Sequence, residues 1–308
     1  MNELRKYILL YNPISGGGKG KKRVAKVISC FSKYGIKIDT YESKEKGDFL
    51  IKAGEFASLY DYIITIGGDG TINEVITGIM GQSKRPVVAV LRGGTANDIA
   101  GMLKIPNSIK KAVHLIVNSK PCYTDINKIN DRYFAYVAGT GIFTKLTYEI
   151  SRKTLKNFGY LAYIFEAAKD LFNDFISNKY NFTTVVEYDS GVISGKFMLI
   201  LILSSRKVGG LNLEKFSKSK LNDGLLDMRL FSSVKFGKIF RLFKFVITSG
   251  RKNIPDYHIT SSKFKVSVAE DISWNVDGEF ANKGTVDIEV IKEAIPFIVS
   301  DKSRKKYY

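Results

Sequence analysis

The chain has little sulfur and almost no imidazole: two cysteines and two histidines in 308 residues. Cys30 and Cys122 make neither a metal spacing nor a disulfide framework, and they fit a reducing cytosol. His114 and His258 each stand alone, with no neighbouring ligand types, so histidine-based catalysis and a zinc centre are not expected. No window approaches the roughly 18 apolar residues of a membrane-spanning helix. The opening "MNELRKYILLYNP" has an apolar run of about five residues and reads as a strand, not a leader peptide. Acid is in deficit, with 30 Asp+Glu against 48 Lys+Arg and a net charge of +18. Such charge calls for an anionic partner: nucleic acid, a phosphate substrate or a lipid surface. With no zinc knuckle, leucine-zipper pattern or RNP-type motif, nucleic acid is not the expected one.

What is present begins with alternation. Over residues 1–120, "RKYILLYNP", "IKIDTYES", "DYIITIGG" and "PVVAVLRGG" read as strands. Between and after them, "KGKKRVAKVISCFSKYG", "GDFLIKAGEFAS", "TINEVITGIM", "ANDIAGML" and "SIKKAVHLIVNS" read as helices, the first with a glycine stop. Continuous Val/Ile runs alternating with helices predict a parallel sheet covered on both faces. Beyond a boundary expected near 123 the texture changes. "DINKINDRYFAYVAGTG" predicts a hairpin turning at Asn130-Asp131, and "YLAYIFEAAKDLFNDF" a helix. From 181 onward, short segments such as "FTTVVEY", "KFMLILIL", "LLDMRLFSS" and "TVDIEVI" alternate with "DSG", "NDG", "VDG" and "ANKG" turns. They predict an antiparallel sheet or sandwich, interrupted by one helix, "KFGKIFRLFKFVITSG". In that helix Phe236, Ile239, Phe240 and Phe243 fall at core spacing, with Lys235, Lys238, Arg241 and Lys244 on other faces.

Three glycine-rich turns, "YNPISGGGKGKK", "TIGGDGTINE" and "LRGGTANDIA", each follow a strand and precede a helix. In an open parallel sheet ligands sit outside the carboxyl ends of the strands. Glycine lets backbone approach a phosphate, and the following helix adds unpaired N–H groups. The P-loop and G-x-G-x-x-G spacings are absent, as are His-Arg-Asp and Asp-Phe-Gly kinase signatures. Any one such turn can be a plain strand-to-helix connection, but three together point to a polyphosphate. Two of them carry an acid, Asp69 and Asp98. An acid beside phosphate calls for an intervening cation, Mg2+.

"GGDGTINEV" with "GGTAND" resembles the diacylglycerol kinase catalytic domain, specifically the soluble bacterial lipid kinases of that family. "GGDGT" alone is shared with NAD kinases and phosphofructokinases. The opening "YNPISGGGKG", the turn "LNDGLLDMRLF" and the late "NVDGE" extend the resemblance from residue 7 to 280. It implies an α/β plus β fold: a Rossmann-like, phosphofructokinase/NAD-kinase-like parallel-sheet domain at 1–123, then an antiparallel β-sandwich domain at 124–308 for the lipid. Packing of the extreme C-terminus back on the first domain is left open. The resemblance implies that Asn12, Ser15, Gly16, Ser43, Gly67, Gly68, Asp69, Gly70, Thr71, Ile72, Asn73 and Thr95 line ATP. Asp69, Asp98 and Asp125 would form the acid and Mg2+ network, and Lys156 would assist phosphate binding. Glu279 would be the general base, and a structural Mg2+ would fall at Asp223 with the carbonyls of Lys220 and Leu225. Phe280 stands where the family commonly has proline.

Read from its residues alone, "SWNVDGEFANKGT" is a hairpin whose charges would ordinarily be solvated, and "LNDG" is an ordinary type I′ hairpin signal. The expected protein is a cytoplasmic ATP- and Mg2+-dependent lipid kinase that visits the inner membrane surface reversibly, drawn by its charge. A homodimer stays open. Two rivals remain at this point: an NAD kinase-like soluble kinase, and a non-catalytic nucleotide sensor at a membrane surface.

Overall fold

A computed structural model describes residues 5–13, 20–94, 96–142, 181–204, 206–208, 211–217, 219–234 and 238–308. Strands β1 (Tyr7–Tyr11), β2 (Ile38–Glu42), β3 (Tyr62–Gly67) and β4 (Val87–Arg92) form the parallel half in the order β2-β1-β3-β4. Ile63 lies between Ile8 and Val88 across the three inner strands. Every residue of β3 is buried, as a strand covered on both faces must be. Helices α1 (Gly20–Ser32) and α5 (Ile109–Asn118) pack together, as do α2 (Asp48–Leu59) and α3 (Asp69–Met80). A short α4 (Asp98–Met102) follows β4.

The C-terminal domain is antiparallel. Its strands are β5 (Pro121–Ile129), β6 (Arg132–Phe134), β7 (Val137–Gly141), β8 (Phe182–Tyr188), β9 (Gly191–Leu203), the short pair β10 (Lys207–Val208) and β11 (Leu211–Asn212), β12 (Leu226–Ser232), β13 (Tyr257–Ser261), β14 (Lys263–Ser267), β15 (Ser273–Val276), β16 (Glu279–Lys283) and β17 (Val286–Ile298). Residues of β5 to β9, β12 to β15 and β17 surround one core that includes Trp274, Phe134, Phe197 and Met228. The expected hairpins at Asn130-Asp131 and at Asp277-Gly278 are both present.

β5 and β17 belong to both halves, and position 123 lies inside β5 rather than in a linker. They pair antiparallel from Ile129↔Ile288 to Pro121↔Ile298, with an irregularity between Ile291 and Ile295. Beyond it β17 turns to the first domain, where Phe297 pairs parallel with Val88. Ile295, Phe297 and Ile298 join the core under β1, β3 and β4, as does Tyr307 of the C-terminal helix (Asp301–Tyr307).

Helix α6 spans Lys238–Ile247 among the described residues. Its buried side is Leu242 and Phe245, which meet Phe216 and Phe231, whereas Phe240 is exposed. Arg241 is not on a solvated face. It is paired with the buried Asp256 and donates to the Ser232 carbonyl, 2.9 Å away. Phe236 lies outside the described residues. His258 likewise gains an acid partner that linear spacing hides: Asp227, across β12 and β13, lies 2.7 Å from its Nε2.

Candidate active site

The second and third glycine turns lie against each other at the carboxyl ends of β3 and β4. The Gly93 N–H donates to the Gly67 carbonyl at 3.0 Å. A Cβ on Gly94 would stand 2.4 Å from the Gly68 Cα, and one on Gly93 2.7 Å from the Gly67 nitrogen. These glycines are therefore required for the turns to touch, whatever else they do. A Cβ on Gly67 would also meet the Thr71 side chain at 2.4 Å. At Gly70 the same test finds nothing within 4 Å, so this first turn of α3 faces open space. Asn97, at φ +52°, accepts N–H bonds from Gly93 and Gly94 at 3.1 and 2.9 Å. It fixes the third turn, a role that the motif gave no reason to assign.

Asp69 Oδ1 accepts from the Ile99 N–H at 2.9 Å, tying the start of α3 to the start of α4. Burial raises its pKa, the Ile99 N–H lowers it, and the neighbouring Asp98 raises it again. Asp98 is fully buried and acts on Tyr136, whose phenol is pushed far up by burial and by Asp277, Asp69 and Asp98. Asp125 does not join this pair. It sits on β5, accepting from Glu293 N–H at the β17 irregularity and from Gly224 N–H, both at 2.7 Å. Burial lifts it to about 6, with the Asp223 charge adding to the rise.

Of the other expected nucleotide contacts, Asn12 follows β1 and Ser43 follows β2, the latter buried with its N–H on the Tyr11 carbonyl at 3.0 Å. Ile72 is 1% exposed and its N–H is bonded to the Gly68 carbonyl, so it offers neither side chain nor donor to a ligand. Ser15, Gly16, Thr95 and Lys156 lie outside the described residues.

The "VDGE" turn between β15 and β16 meets this end of the sheet. Asp277, at φ +49°, turns its carboxylate inward. It accepts from the backbone N–H groups of Ala135, Tyr136 and Val137 at 2.6, 3.1 and 3.0 Å. Its fourth donor is Asn73 Nδ2 on α3, at 2.6 Å. One buried acid thus ties the β15–β16 turn and the β6–β7 link to the helix that opens with Asp69. Burial raises it to about 6 against the pull of those N–H donors. Glu279 faces outward and is about half-buried. Lys46 Nζ lies 3.0 Å from one of its oxygens and Arg132 Nη2 2.8 Å from the other. Burial pushes its pKa up, but the bonds and charges of Lys46 and Arg132 outweigh that and hold it below the usual range.

The loop before β12 closes on Asp223, which accepts from Lys220 N–H at 2.8 Å and Leu225 N–H at 3.0 Å. Leu221 N–H donates to the Tyr307 carbonyl, and Asp125 N–H to the Leu221 carbonyl. This is a loop docked on β5 and the last helix, not the hairpin that "LNDG" predicted. Two broad cavities lie away from the glycine turns. One of about 610 Å³ is beside Lys128, Tyr188 and Lys265. The other, about 860 Å³ beside Lys6, Lys37 and Tyr60, is at the amino ends of the parallel strands.

Paired glycine turns at the carboxyl ends of parallel strands, met by an acid-bearing turn from an antiparallel domain, make a two-domain arrangement that suits phosphoryl transfer. Residues 6–129 match the model of the diacylglycerol kinase catalytic domain. A diacylglycerol kinase of Bacillus subtilis is 34% identical over 278 residues, covering 88% of this chain and 89% of that one. One from Staphylococcus carnosus is 28% identical over 291 residues, covering 93% and 92%. A crystal structure of a diacylglycerol kinase from Bacillus anthracis superposes with a TM-score of 0.77 over 98% of this chain and all of that one, at 23% identity, a likeness of fold. The chain belongs to the diacylglycerol kinase family and is a lipid kinase.

Proposed function

We propose that the protein transfers the γ-phosphoryl group of ATP to diacylglycerol, giving phosphatidic acid, with Glu279 as general base. The acceptor is suggested by the names its relatives carry. The observation that supports the reading is the Asp277–Asn73 bond, which ties the turn before Glu279 to the helix that opens with Asp69. The lipid hydroxyl oxygen bonds to the γ-phosphorus as the bond to the bridging oxygen breaks. ADP leaves with that electron pair, and Glu279 takes the hydroxyl proton. The first domain, 1–123, would hold ATP along Asn12, Ser15, Gly16, Ser43, the turn Gly67–Asn73 and Thr95, with Lys156 assisting. The second, 124–308, would offer the lipid.

Among the described residues no three acid, histidine or cysteine side chains converge to hold a metal. Asp69 and Asp98 still fit a Mg2+ that shares its ligands with phosphate: each follows a glycine turn, Asp98 is fully buried and Asp69 partly so, and burial and the Asp98 charge both raise the Asp69 carboxyl. That ion would neutralise the charge of the phosphates. A second, structural Mg2+ fits Asp223 with the carbonyls of Lys220 and Leu225. Each Asp223 oxygen accepts one N–H and keeps a lone pair, and the nearby Asp125 carboxylate is left short of positive charge. For access to the lipid, α6 offers exposed Phe240 and Ile247 beside Lys244. No helix of the described residues is long and apolar enough to cross a membrane. The protein would reach its substrate by reversible electrostatic docking.

Glu279→Gln tests the base. It should lower kcat by roughly 10²- to 10⁴-fold with ATP affinity nearly unchanged. Near wild-type turnover in mixed micelles would remove Glu279 from the chemistry.

A further inference from the structure

A carboxylate held by two cations is a poor proton acceptor, and that is how Glu279 stands. Its cations come from opposite sides of the site. Lys46 is on the loop between β2 and α2, three residues beyond Ser43, and Arg132 is on β6. Each takes a different oxygen, at 3.0 and 2.8 Å, and Arg132 Nη1 also donates to the Phe280 carbonyl. The pair is spaced to span two oxygens on one atom, which is equally the geometry of a phosphoryl group. The third charge bearing on Glu279 is Glu74 of α3, which accepts from the Gly47 N–H at 3.2 Å. The Lys46 side chain is 76% exposed, so nothing buried holds it to Glu279.

We propose that Lys46 and Arg132 form a phosphoryl-binding subsite, and that Glu279 fills it with its own carboxylate until a phosphoryl group arrives. This rests on the reading of Glu279 as base. A phosphoryl group carries more negative charge than a carboxylate and draws both cations away. Burial and the Glu74 charge then remain on Glu279, and both favour taking up a proton. The base is weak in the empty enzyme and becomes strong when the group to be transferred is in place. A proton is therefore not taken, nor a lipid hydroxyl activated, without a phosphoryl donor beside it.

The test uses the full-length chain carrying Lys46→Met or Arg132→Met. Each variant should lose on the order of 10²-fold in kcat, as when one oxyanion donor is removed. Each should also move the acid limb of the kcat/KM pH profile to higher pH, because Glu279 loses a cation. Lys46→Arg and Arg132→Lys should restore most of kcat. Weaker binding of β,γ-imido-ATP with unchanged binding of ADP identifies the donor's terminal phosphoryl as the occupant. Weaker inhibition by a short-chain phosphatidate identifies the product's phosphate instead. Wild-type kcat in both Met variants, with all three probes bound as before, overturns the proposal and leaves only a surface ion pair. Turnover retained in Glu279→Gln would instead defeat the base, while the imido-ATP and phosphatidate affinities of the two Met variants would still report on the subsite.

Discussion

The turn at Asp277-Gly278 and the loop at Asp223-Gly224 carry the same dipeptide, and each has its glycine at positive φ, +89° and +79°. Asp277 is at positive φ too, and the chain reverses tightly between β15 and β16. Asp223 is not among the residues at positive φ, and no hairpin forms around it. A type I′ turn needs both central residues in the left-handed region. The difference lies in where each carboxylate finds donors. Asp223 finds them in its own loop, at Lys220 and Leu225. Asp277 finds none so close and takes four from segments far away in sequence. One acid closes a loop; the other joins two domains.

The strongest way to break this contrast is to remove both acids. Asp277→Ala leaves three backbone donors and the Asn73 amide without an acceptor, two of them buried and two partly buried. It should cost about 3–5 kcal/mol in urea unfolding and most of the activity. Asp223→Ala, without added Mg2+, should cost under about 1 kcal/mol. Equal costs would mean that the joint is no more than a turn. Next in size, Gly94→Ala puts a methyl group against Gly68 and should destabilise by about 1–3 kcal/mol while weakening ATP binding. Alanine tolerated there with wild-type ATP affinity would show that the two turns need not touch.

A pH series sharpens the same comparison. Asp277 and Asp125 have folded-state values near 6, above the ordinary 3.8, so the native chain holds their protons more tightly than the unfolded one. Their contribution is fully present below about pH 4 and is lost as pH rises through about 6. Asp227 is the reverse. Burial opposes its ionisation, but bonds from His258, Ser217, Thr260 and Ser219 outweigh this and lower it to about 2. Its contribution is present above about pH 4 and is lost as pH falls through about 2. Urea midpoints should therefore rise from pH 7 toward 4 and fall below it, and Asp125→Asn should flatten part of the upper slope. A midpoint that does not change between pH 4 and 7 would refute the raised values. The smallest effect belongs to α6. With Phe240 and Ile247 67% and 64% exposed, the double change to serine should alter stability by under about 0.5 kcal/mol. It should still weaken sedimentation with anionic vesicles, which should also fall as salt rises. Unchanged vesicle binding would move the docking face elsewhere.

The parallel half was legible because its signals are local: β3 is an unbroken apolar run, and glycine follows it where strand meets helix. Glu279 is singled out by family resemblance alone, since a lone acid in a hairpin reads as solvated. Asp277 was not legible, because Ala135, Tyr136, Val137 and Asn73 have no sequence relation to it until the domains meet. The same holds for Lys46 and Arg132, which look like ordinary surface charge in a chain with 48 basic residues. Phe240 was misassigned to the core because helical periodicity gives a stripe but not the side that faces inward. Asp125 was grouped with Asp69 and Asp98 by resemblance, yet its strand carries it to the irregularity in β17.

That β17 finishes the parallel sheet has a consequence for how the protein is made. Val88 leaves the ribosome long before Phe297, its partner, exists. Until then the nascent parallel half carries an open strand edge at β4, and its core lacks Ile295, Phe297, Ile298 and Tyr307. An open edge of this kind invites pairing with other chains. The half that is translated first is thus among the last to be completed, and cutting the gene near codon 123 should not yield a stably folded fragment. Supplying residues 286–308 after it, through a short linker, offers a better route to one.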